Sequence, residues 1–519
     1  MKISFFKFNL LYTLLTVGIY NFPFLKEIYP TVSKMTFLGL FFVIYCAYLF
    51  IHRLIFWPKT VKFLSLLLIL CNSVSSYFIL ALNVPLTKRI LANTLDTNVY
   101  EATEWLGPKF YLYCFFAGVV PFILILKTKI LFPPLCWKKY LTRLSFFIIA
   151  VACCTLPNKQ DIKVYLKENF NVRYKLLPSS YISSTIGLIR LRFKHIDLVN
   201  SMEKMQQNVY WDTKKKNLIV FVLGESARDK SYTWDEKSFV TKPLKPYMKD
   251  LIVFRKTTSC GVSTRVSVPC MFSFYNHDNY SEPRAVYTAN ALDIIQKNNF
   301  KLLWLDNEMG CNRVCRNIPT ELTCHSRDCV DDTLNQTLYQ KLPELIKEDA
   351  FVVLHQRGSH APRYDLRAPE EYRILTPYCQ EEEPADCDPK ELENAYLNSL
   401  YYTSILIADL IDHLSKLKDR VNPVLIYISD HGESLGENGV YIRETVFPPP
   451  PEQTNVPFFM WIPDYSRQSL SLDKKCLDEK TKTPRSQDNI FHTLLGLTGI
   501  TTNVYNPELD LISGCIRKK

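Results

Sequence analysis

Four side chains in this 519-residue sequence have the chemistry of a metal site. Glu225 stands at the end of one short apolar run, and the adjacent pair Asp430 and His431 stands at the end of another. Carboxylate oxygen and imidazole nitrogen together suit zinc. Thr264 lies where a helix could begin, and a metal-bound hydroxyl becomes nucleophilic near neutral pH because its pKa falls. The four residues predict a zinc site with a threonine nucleophile, although Glu225 alone could also be an acidic helix cap.

These residues need elements that bring them together. From residue 216 onward, apolar runs alternate with helical stretches such as 288–297 and 393–417, which favours an α/β domain with a mainly parallel central sheet. The predicted strands are residues 218–223, 301–305, 351–354, 424–429 and 458–462. Polar residues follow four of them: Glu225, Asp306 and Asn307, His355 and His360, and Asp430 and His431. Because parallel strands end at one edge of a sheet, we expect these side chains to form one site.

The stretch around the threonine, SCGVSTRVSVPCMFS at residues 259–273, has a turn followed by a helical pattern. Gly261 permits a tight turn, and Ser263 and Thr264 come next. A hydroxyl at this place either caps the helix, which is the commoner case, or acts as a nucleophile. In the second case the free N–H groups and the helix dipole favour a bound phosphate. A Cys260–Cys270 bridge would hold the turn rigid.

The N-terminal part reads as a membrane unit. Five apolar segments, at residues 8–25, 35–51, 63–84, 110–126 and 144–156, mostly approach the ~20 residues that cross a bilayer. A cleaved signal peptide is not expected, because four more segments follow the first. Lysine, arginine and histidine cluster before segment one, between two and three, and between four and five. These basic stretches should be cytoplasmic, which places everything after the fifth segment outside the cytoplasm.

We expect residues 1–157 to form a transmembrane domain, 158–215 interfacial helices and a linker, and 216–519 a periplasmic catalytic domain. In the outer loop NTLDTNVYEA, the residues Asn93, Thr97 and Glu101 recur every four positions and are predicted to share a helical face. That face is either merely solvated or binds a lipid headgroup. The net charge of +11 suits cytoplasmic membrane loops, and we expect no nucleic-acid partner.

The cysteines are read as disulfides. Of the 16 cysteines, ten follow residue 259, and eight of these form close pairs: Cys260 with Cys270, Cys311 with Cys315, Cys324 with Cys329, and Cys379 with Cys387. Cys476 and Cys515 could pair, but spacing alone does not support it. Zinc knuckles are the alternative, and we prefer disulfides because a domain outside the cytoplasm is in an oxidising compartment.

The motifs GESARD, SCGVSTRVSVPCMFS, GSHAP and SDHGESLGENGVY together resemble those of the phosphoethanolamine transferases of Gram-negative bacteria. That family includes the lipid A-modifying enzymes behind colistin resistance and belongs to the alkaline phosphatase/sulfatase superfamily. The resemblance implies a five-helix transmembrane bundle followed by a sulfatase-like α/β domain at the bacterial inner membrane. It also implies that Glu225, Thr264, Asp430 and His431 bind Zn²⁺, that Thr264 is the nucleophile, and that His360 lies near the transferred phosphate.

The resemblance further implies the reaction. Phosphatidylethanolamine would donate phosphoethanolamine to Thr264, diacylglycerol would leave, and lipid A or another part of lipopolysaccharide would accept the group. We expect a monomer in the lipid bilayer. Three places depart from the family pattern. Arg443 follows Ile442 where Leu-His is usual, and Asn312 replaces a lysine, which leaves these two as altered substrate-binding candidates. The Asn-Gly-Tyr usual after GESARxD is also missing from the stretch DKSYTWDEK. The alternatives are another membrane-anchored phosphatase, sulfatase or phosphoryl transferase of the superfamily, or a non-catalytic relative.

Overall fold

A computed structural model describes residues 2–97, 99–132, 170–192, 200–207, 215–308, 310–324, 326, 329–442 and 448–517. The chain forms two compact units. The first comprises Met1–Thr97 and Leu106–Lys194, and the second comprises Asn98–Trp105 and His195–Lys519. The short segment Asn98–Trp105 therefore belongs to the second unit although the first unit surrounds it in the sequence. The domain boundaries expected after residues 157 and 215 stay predictions.

The first unit is built from apolar helices. The helices in chain order are α1 Phe5–Leu15, α2 Phe22–Ile28, α3 Lys34–Ile55, α4 Val61–Leu82, α5 Lys88–Asp96, α6 Val99–Glu104, α7 Pro108–Cys114, α8 Val120–Leu126 and α9 Ser179–Arg192. Of these, α6 lies in the segment Asn98–Trp105 and so belongs to the second unit. A two-stranded parallel sheet pairs β1, Lys2–Ser4, with β2, Lys129–Leu131. Single π-helical turns continue α1 and join α7 to α8.

Three of the described helical stretches are long and apolar enough to cross a membrane: Lys34–Ile55, Val61–Leu82 and Pro108–Leu126. A fourth span is formed if α1 and α2, which meet at a bend of 58°, are counted as one. These four match the first four predicted segments. The fifth, at residues 144–156, lies outside the described residues. Of the predicted interfacial region, α9 is described as a helix, and its place at a membrane surface stays a prediction.

The prediction that Asn93, Thr97 and Glu101 share one helical face is wrong. Helix α5 ends at Asp96, and Thr97 leaves the helix with a ψ of 129°. The N–H and the Oγ1 hydroxyl of Thr97 both donate to the Asn93 carbonyl, at 2.9 and 3.0 Å, which closes the last turn. Glu101 lies in the separate helix α6. A spacing of four aligns side chains only where the helix is continuous.

The second unit contains an eight-stranded sheet with the order β13-β5-β12-β9-β4-β8-β6-β7. Its strands are β4 Lys216–Gly224, β5 Leu251–Thr258, β6 Lys301–Asp306, β7 Thr320–Leu322, β8 Ala350–His355, β9 Val421–Ser429, β12 Asn455–Trp461 and β13 Arg485–Ser486. Two small antiparallel pairs join β3 Gln206–Gln207 to β14 Ile500–Thr501, and β10 Ser434–Leu435 to β11 Tyr441–Ile442. All five predicted strands are present, and β5 was not predicted.

The direction of the strands brings several ends to one edge. Strands β9, β4, β8 and β6 are mutually parallel. Strand β12 runs antiparallel to both β9 and β5, so β5 points the same way as β9. The carboxyl ends of β4, β5, β6, β8 and β9 therefore meet at the same edge, as expected for a mainly parallel α/β sheet.

Helices cover both faces of this sheet. The helices of this unit in the described residues, apart from α6, are α10 Thr264–Met271, α11 Glu282–Tyr287, α12 Ala291–Lys297, α13 Asp332–Leu345, α14 Pro389–Ser415, α15 Pro451–Thr454, α16 Asp464–Ser469, α17 Lys474–Lys480 and α18 Asp488–Leu497. Alternate residues of β4 enter two different cores, Ile219 and Phe221 on one face and Leu218 and Val220 on the other. Because both faces are covered, the strand is a continuous apolar run without polar alternation.

Five disulfides are formed: Cys260–Cys270, Cys311–Cys315, Cys324–Cys329, Cys379–Cys387 and Cys476–Cys515. The four close pairs are as predicted. The fifth joins residues 39 positions apart and could not be assigned from spacing.

Candidate active site

Glu225 occupies the end of the central strand β4 and is only 1% exposed. Gly224 before it cannot be replaced by a larger residue, since a Cβ there would lie 2.6 Å from the Tyr427 hydroxyl. Ser226 after it has a left-handed φ of 57°, and its Oγ donates to Glu225 Oε1 at 2.6 Å. The tight turn thus directs the carboxylate to the carboxyl edge of the sheet.

Asp430 and His431 follow the neighbouring strand β9 and are fully buried. Asp430 Oδ1 accepts from the N–H groups of Ser226, at 3.1 Å, and His431, at 2.7 Å. His431 Nδ1 lies 2.7 Å from the Gly432 carbonyl. A carbonyl only accepts, so Nδ1 carries the hydrogen and Nε2 presents its lone pair, which is the tautomer of a metal ligand. Nε2 lies 3.3 Å from Glu225 Oε1 and 3.2 Å from Asp430 Oδ2.

This set of three fits a divalent cation. One ligand atom from each of Glu225, Asp430 and His431 lies within 4.8 Å of the other two. Two carboxylates buried out of water need positive charge beside them, because an ionised group out of water is costly without it, and a divalent cation at this place would supply it. Two carboxylate oxygens and an imidazole nitrogen also form a donor set that zinc accepts.

Thr264 is brought to the same place from the end of β5. It is the first residue of α10, and its Oγ1 donates to Glu225 Oε2 at 3.0 Å. The preceding turn is compact, since a Cβ on Gly261 would lie 2.6 Å from a methyl carbon of Val266. The Cys260–Cys270 disulfide joins the turn to the helix. The hydroxyl therefore stands at a helix N-terminus, where the helix dipole favours anions.

Gln487 connects the two halves of the site and was missed by the sequence analysis. Its Nε2 donates to the carbonyls of Ser429, at 2.8 Å, and Asp430, at 2.7 Å. Its Oε1 accepts from the Cys260 N–H at 2.8 Å. The fully buried amide thus links the turn of the threonine to the end of β9. Glutamine carries no motif that would mark this role in a sequence.

His360 lies in a loop that packs against Glu225. The Ser359 N–H donates to the Glu225 carbonyl at 3.0 Å, and a Cβ on Gly358 would lie 2.8 Å from that same oxygen. His360 Nδ1 donates to the Ala361 carbonyl at 2.6 Å. Its Nε2 lies 3.5 Å from Glu308 Oε1, a carboxylate that the sequence analysis did not select.

His355 is a third buried histidine near the strand ends. Its Nδ1 lies 3.3 Å from Asp306 Oδ2. Burial by itself lowers the pKa of His355, but the carboxylates of Asp306, Glu225 and Asp430 outweigh burial and raise the pKa above its usual value. The carboxylates at this edge of the sheet therefore also raise the pKa of a histidine that is not one of the three candidate ligand residues.

The remaining candidates are placed less centrally. Asn312 has a φ of 46° in the turn that the Cys311–Cys315 disulfide closes. The neighbouring cation, Arg313, donates to the Tyr287 hydroxyl at 3.1 Å. Among the contacts of the described residues, none joins Asn312 to the ligand cluster, and Arg443 lies outside the described residues.

The fold and the ligand set define a class, and two family models identify it. The model described as Sulfatase matches residues 217–500, which hold the whole ligand cluster. The model described as Phosphoethanolamine transferase EptA/EptB matches residues 44–193. A sulfatase-type catalytic unit thus follows a membrane part that is typical of one group of transferases.

Individual relatives agree with this class. The chain is 32% identical over 470 residues to the phosphoethanolamine transferase EptA of Escherichia coli (strain K12), which covers 88% of this chain and 85% of the relative. It is 29% identical over 516 residues to the phosphatidylethanolamine transferase Mcr-1 of Escherichia coli, with 94% and 93% covered. The chain therefore belongs to the phosphoethanolamine transferase family.

A solved full-length structure shares the architecture. The integral membrane protein lipooligosaccharide phosphoethanolamine transferase A (EptA) from Neisseria meningitidis is 27% identical and covers 100% of both chains, with a TM-score of 0.91. The predicted family and fold class are confirmed, and the protein is an enzyme of the membrane. The relatives named as transferases favour an enzyme over a non-catalytic relative.

Proposed function

We propose that this enzyme transfers phosphoethanolamine from phosphatidylethanolamine to lipid A, or to another part of lipopolysaccharide, through an adduct on Thr264. The observation that carries the proposal is the position of the Thr264 hydroxyl. It lies 3.0 Å from Glu225, at the first residue of a helix, with the cluster of Glu225, Asp430 and His431 beside it. Such a site serves a hydroxyl that attacks a phosphate, because both the hydroxyl and the anion are stabilised there.

In the first half-reaction Thr264 Oγ1 gives up its proton and bonds to the phosphorus of the donor. The bond between phosphorus and the glycerol oxygen breaks, and diacylglycerol leaves with a proton on that oxygen. The positive end of the α10 dipole would stabilise the phosphate oxygens of the adduct. Glu225 orients the hydroxyl before attack, because it accepts the hydrogen bond from Oγ1.

Glu225, Thr264, Asp430 and His431 would hold a zinc ion. When bound, zinc would lower the pKa of the threonine hydroxyl and balance charge on the phosphate oxygens. The tautomer of His431, fixed by the Gly432 carbonyl, suits this ligand role.

In the second half-reaction an oxygen of the acceptor bonds to phosphorus, and the bond from phosphorus to Thr264 Oγ1 breaks. The acceptor oxygen gives up its proton as it bonds to phosphorus, and the threonine oxygen takes up a proton in exchange. His360 is our candidate for this proton transfer, because an imidazole can exchange a proton near neutral pH and its Nδ1 is bonded to the Ala361 carbonyl. Glu308, 3.5 Å from Nε2, would stabilise the protonated imidazole.

We also propose that the catalytic unit lies in the periplasm and that the membrane helices keep the lipid donor close. Basic residues in the loops expected inside the cell support this orientation. The five disulfides support it too, because they persist in an oxidising compartment. Asn93, Thr97, Glu101, Asn312 and Arg443 remain candidates for substrate binding, and we propose a monomer.

The test is mass spectrometry of the full-length protein after incubation in vesicles of phosphatidylethanolamine. We expect a phosphoethanolamine adduct on Thr264 and equimolar diacylglycerol, and cells with the protein should carry phosphoethanolamine on lipid A. The T264A variant should lose both. The matched control is S263A, which removes the neighbouring hydroxyl, a side chain that makes no cap hydrogen bond to the helix. A T264A protein that still modifies lipid A would exclude the mechanism.

A further inference from the structure

The segment Asn98–Trp105 connects two membrane-spanning helices in the sequence but belongs to the catalytic unit. Its helix α6 ends at Glu104, whose side chain is fully buried. A carboxylate is almost never fully buried unless it is paired. The partners of Glu104 therefore indicate what the segment does in that unit.

Glu104 binds two arginines. Its Oε1 accepts from Arg357 Nη2 at 2.6 Å and from Arg367 Nη1 at 3.2 Å, and its Oε2 accepts from Arg367 Nη2. The two arginines are 7% and 4% exposed. Removal of one member of such a buried network leaves the charge of the others less well balanced, which is costly out of water, so the cluster holds its geometry firmly.

The two arginines hold the loop of His360. Arg367 Nε donates to the His360 carbonyl at 2.8 Å. The Arg357 N–H donates to Asp331 Oδ1 at 2.9 Å, and the next N–H in the chain, that of Gly358, donates to Asp331 Oδ2 at 2.8 Å. The loop is thus fixed on one side by Glu225, through Ser359, and on the other by the arginines that Glu104 pairs.

We propose that Glu104 is a positioning residue for His360 and that the second half-reaction depends on it. The segment Asn98–Trp105, which the first unit surrounds in the sequence, thereby contributes a residue to the catalytic unit. This inference rests on the proposed role of His360 in the transfer.

Two variants of the full-length protein in phosphatidylethanolamine vesicles test it. E104Q keeps the shape and removes the charge. R367K keeps a cation beside Glu104 but removes the guanidinium Nε that donates to the His360 carbonyl. Mass spectrometry follows formation of the Thr264 adduct, and its consumption after lipid A is added, across a range of pH. In both variants we expect the rate of adduct consumption to fall roughly tenfold or more relative to the rate of adduct formation. The pH profile of adduct consumption should shift as well.

The matched control is D250N, which breaks another ion pair with a buried arginine, Arg467, at 3.1 Å. It should lower the thermal midpoint and leave the ratio of consumption to formation as in the wild type. The inference is overturned if E104Q and R367K keep the wild-type ratio, or if D250N changes the ratio as much as they do. A wild-type protein without an adduct would instead remove the proposed function, and this inference with it.

Discussion

Gln487 offers the sharpest test of how the site is held together, because one side chain bridges the nucleophile turn and the end of β9. The variant Q487L replaces the amide by an apolar group of similar size. It deletes three hydrogen bonds, two to the carbonyls of Ser429 and Asp430 and one from the Cys260 N–H. All three partner groups lie in buried residues, so water does not readily replace the amide.

At about 1 kcal/mol for each bond, the loss of stability should be about 3 kcal/mol. The rate of adduct formation should fall by more than this loss of stability alone would cause. A shift of about 1 Å between Thr264 and Glu225 would slow adduct formation roughly 100-fold, because attack needs the reacting atoms in line. The Q487E variant retains the bond from Cys260 but turns a carboxylate toward two carbonyls, and it should be impaired as well.

The assay compares adduct formation and thermal unfolding in Q487L, Q487E and a control, N335L. The buried Asn335 likewise donates to a backbone carbonyl, that of Leu406 at 3.0 Å, but from helix α13. N335L should lose stability with an unchanged rate of adduct formation at temperatures where it is folded. The reasoning is refuted if Q487L forms the adduct at the wild-type rate, or if N335L slows it equally.

Two further predictions concern metal and pH. Exhaustive chelation should abolish adduct formation, and zinc should restore it with bound metal measured by elemental analysis; full activity of a metal-free protein would contradict the ligand assignment. Burial raises the pKa of Asp510 to about 6 and lowers that of His492 to about 4. Because the folded protein binds a proton at His492 less readily than the unfolded chain does, stability is lost as the pH falls from the unfolded pKa toward 4. Because the folded protein loses the proton of Asp510 less readily, stability is lost as the pH rises toward 6. The two effects oppose each other in the wild type. In D510N only the effect of the histidine should remain. Hydrogen exchange of α18 should then show the free energy of unfolding fall by about 3 kcal/mol between pH 7 and about pH 4.5. A free energy of unfolding that does not change over this range would contradict the prediction.

Local patterns predicted much of the catalytic unit. A buried parallel strand such as β4 is a continuous apolar run, so its bounds and its polar end at Glu225 were visible. Strand β5 was missed because Arg255 and Lys256 are exposed within it and interrupt the apolar pattern. Its existence depends on pairing with β12, a partner about 200 residues away in the chain.

The outer loop shows the opposite case. The spacing of Asn93, Thr97 and Glu101 suggested one helix, yet Thr97 ends α5 by bonding back to Asn93. Periodicity describes residues on a continuous helix and does not reveal where a side chain competes with the backbone.

By itself the sequence determined the strand ends. It also selected Glu225, Asp430 and His431 as candidate ligands and Thr264 as a candidate nucleophile, because residue type and local period carry that information. Only the tertiary structure decided that Gln487 joins the two halves of the site and that Glu104 enters the catalytic unit. The contact of Gln487 with Cys260 and that of Glu104 with Arg357 each link positions more than 200 residues apart. The residues next to Gln487 and Glu104 in the sequence form no pattern that would indicate such distant partners. Long-range contacts of this kind are selected by the packed fold as a whole, where each buried polar group must find a partner.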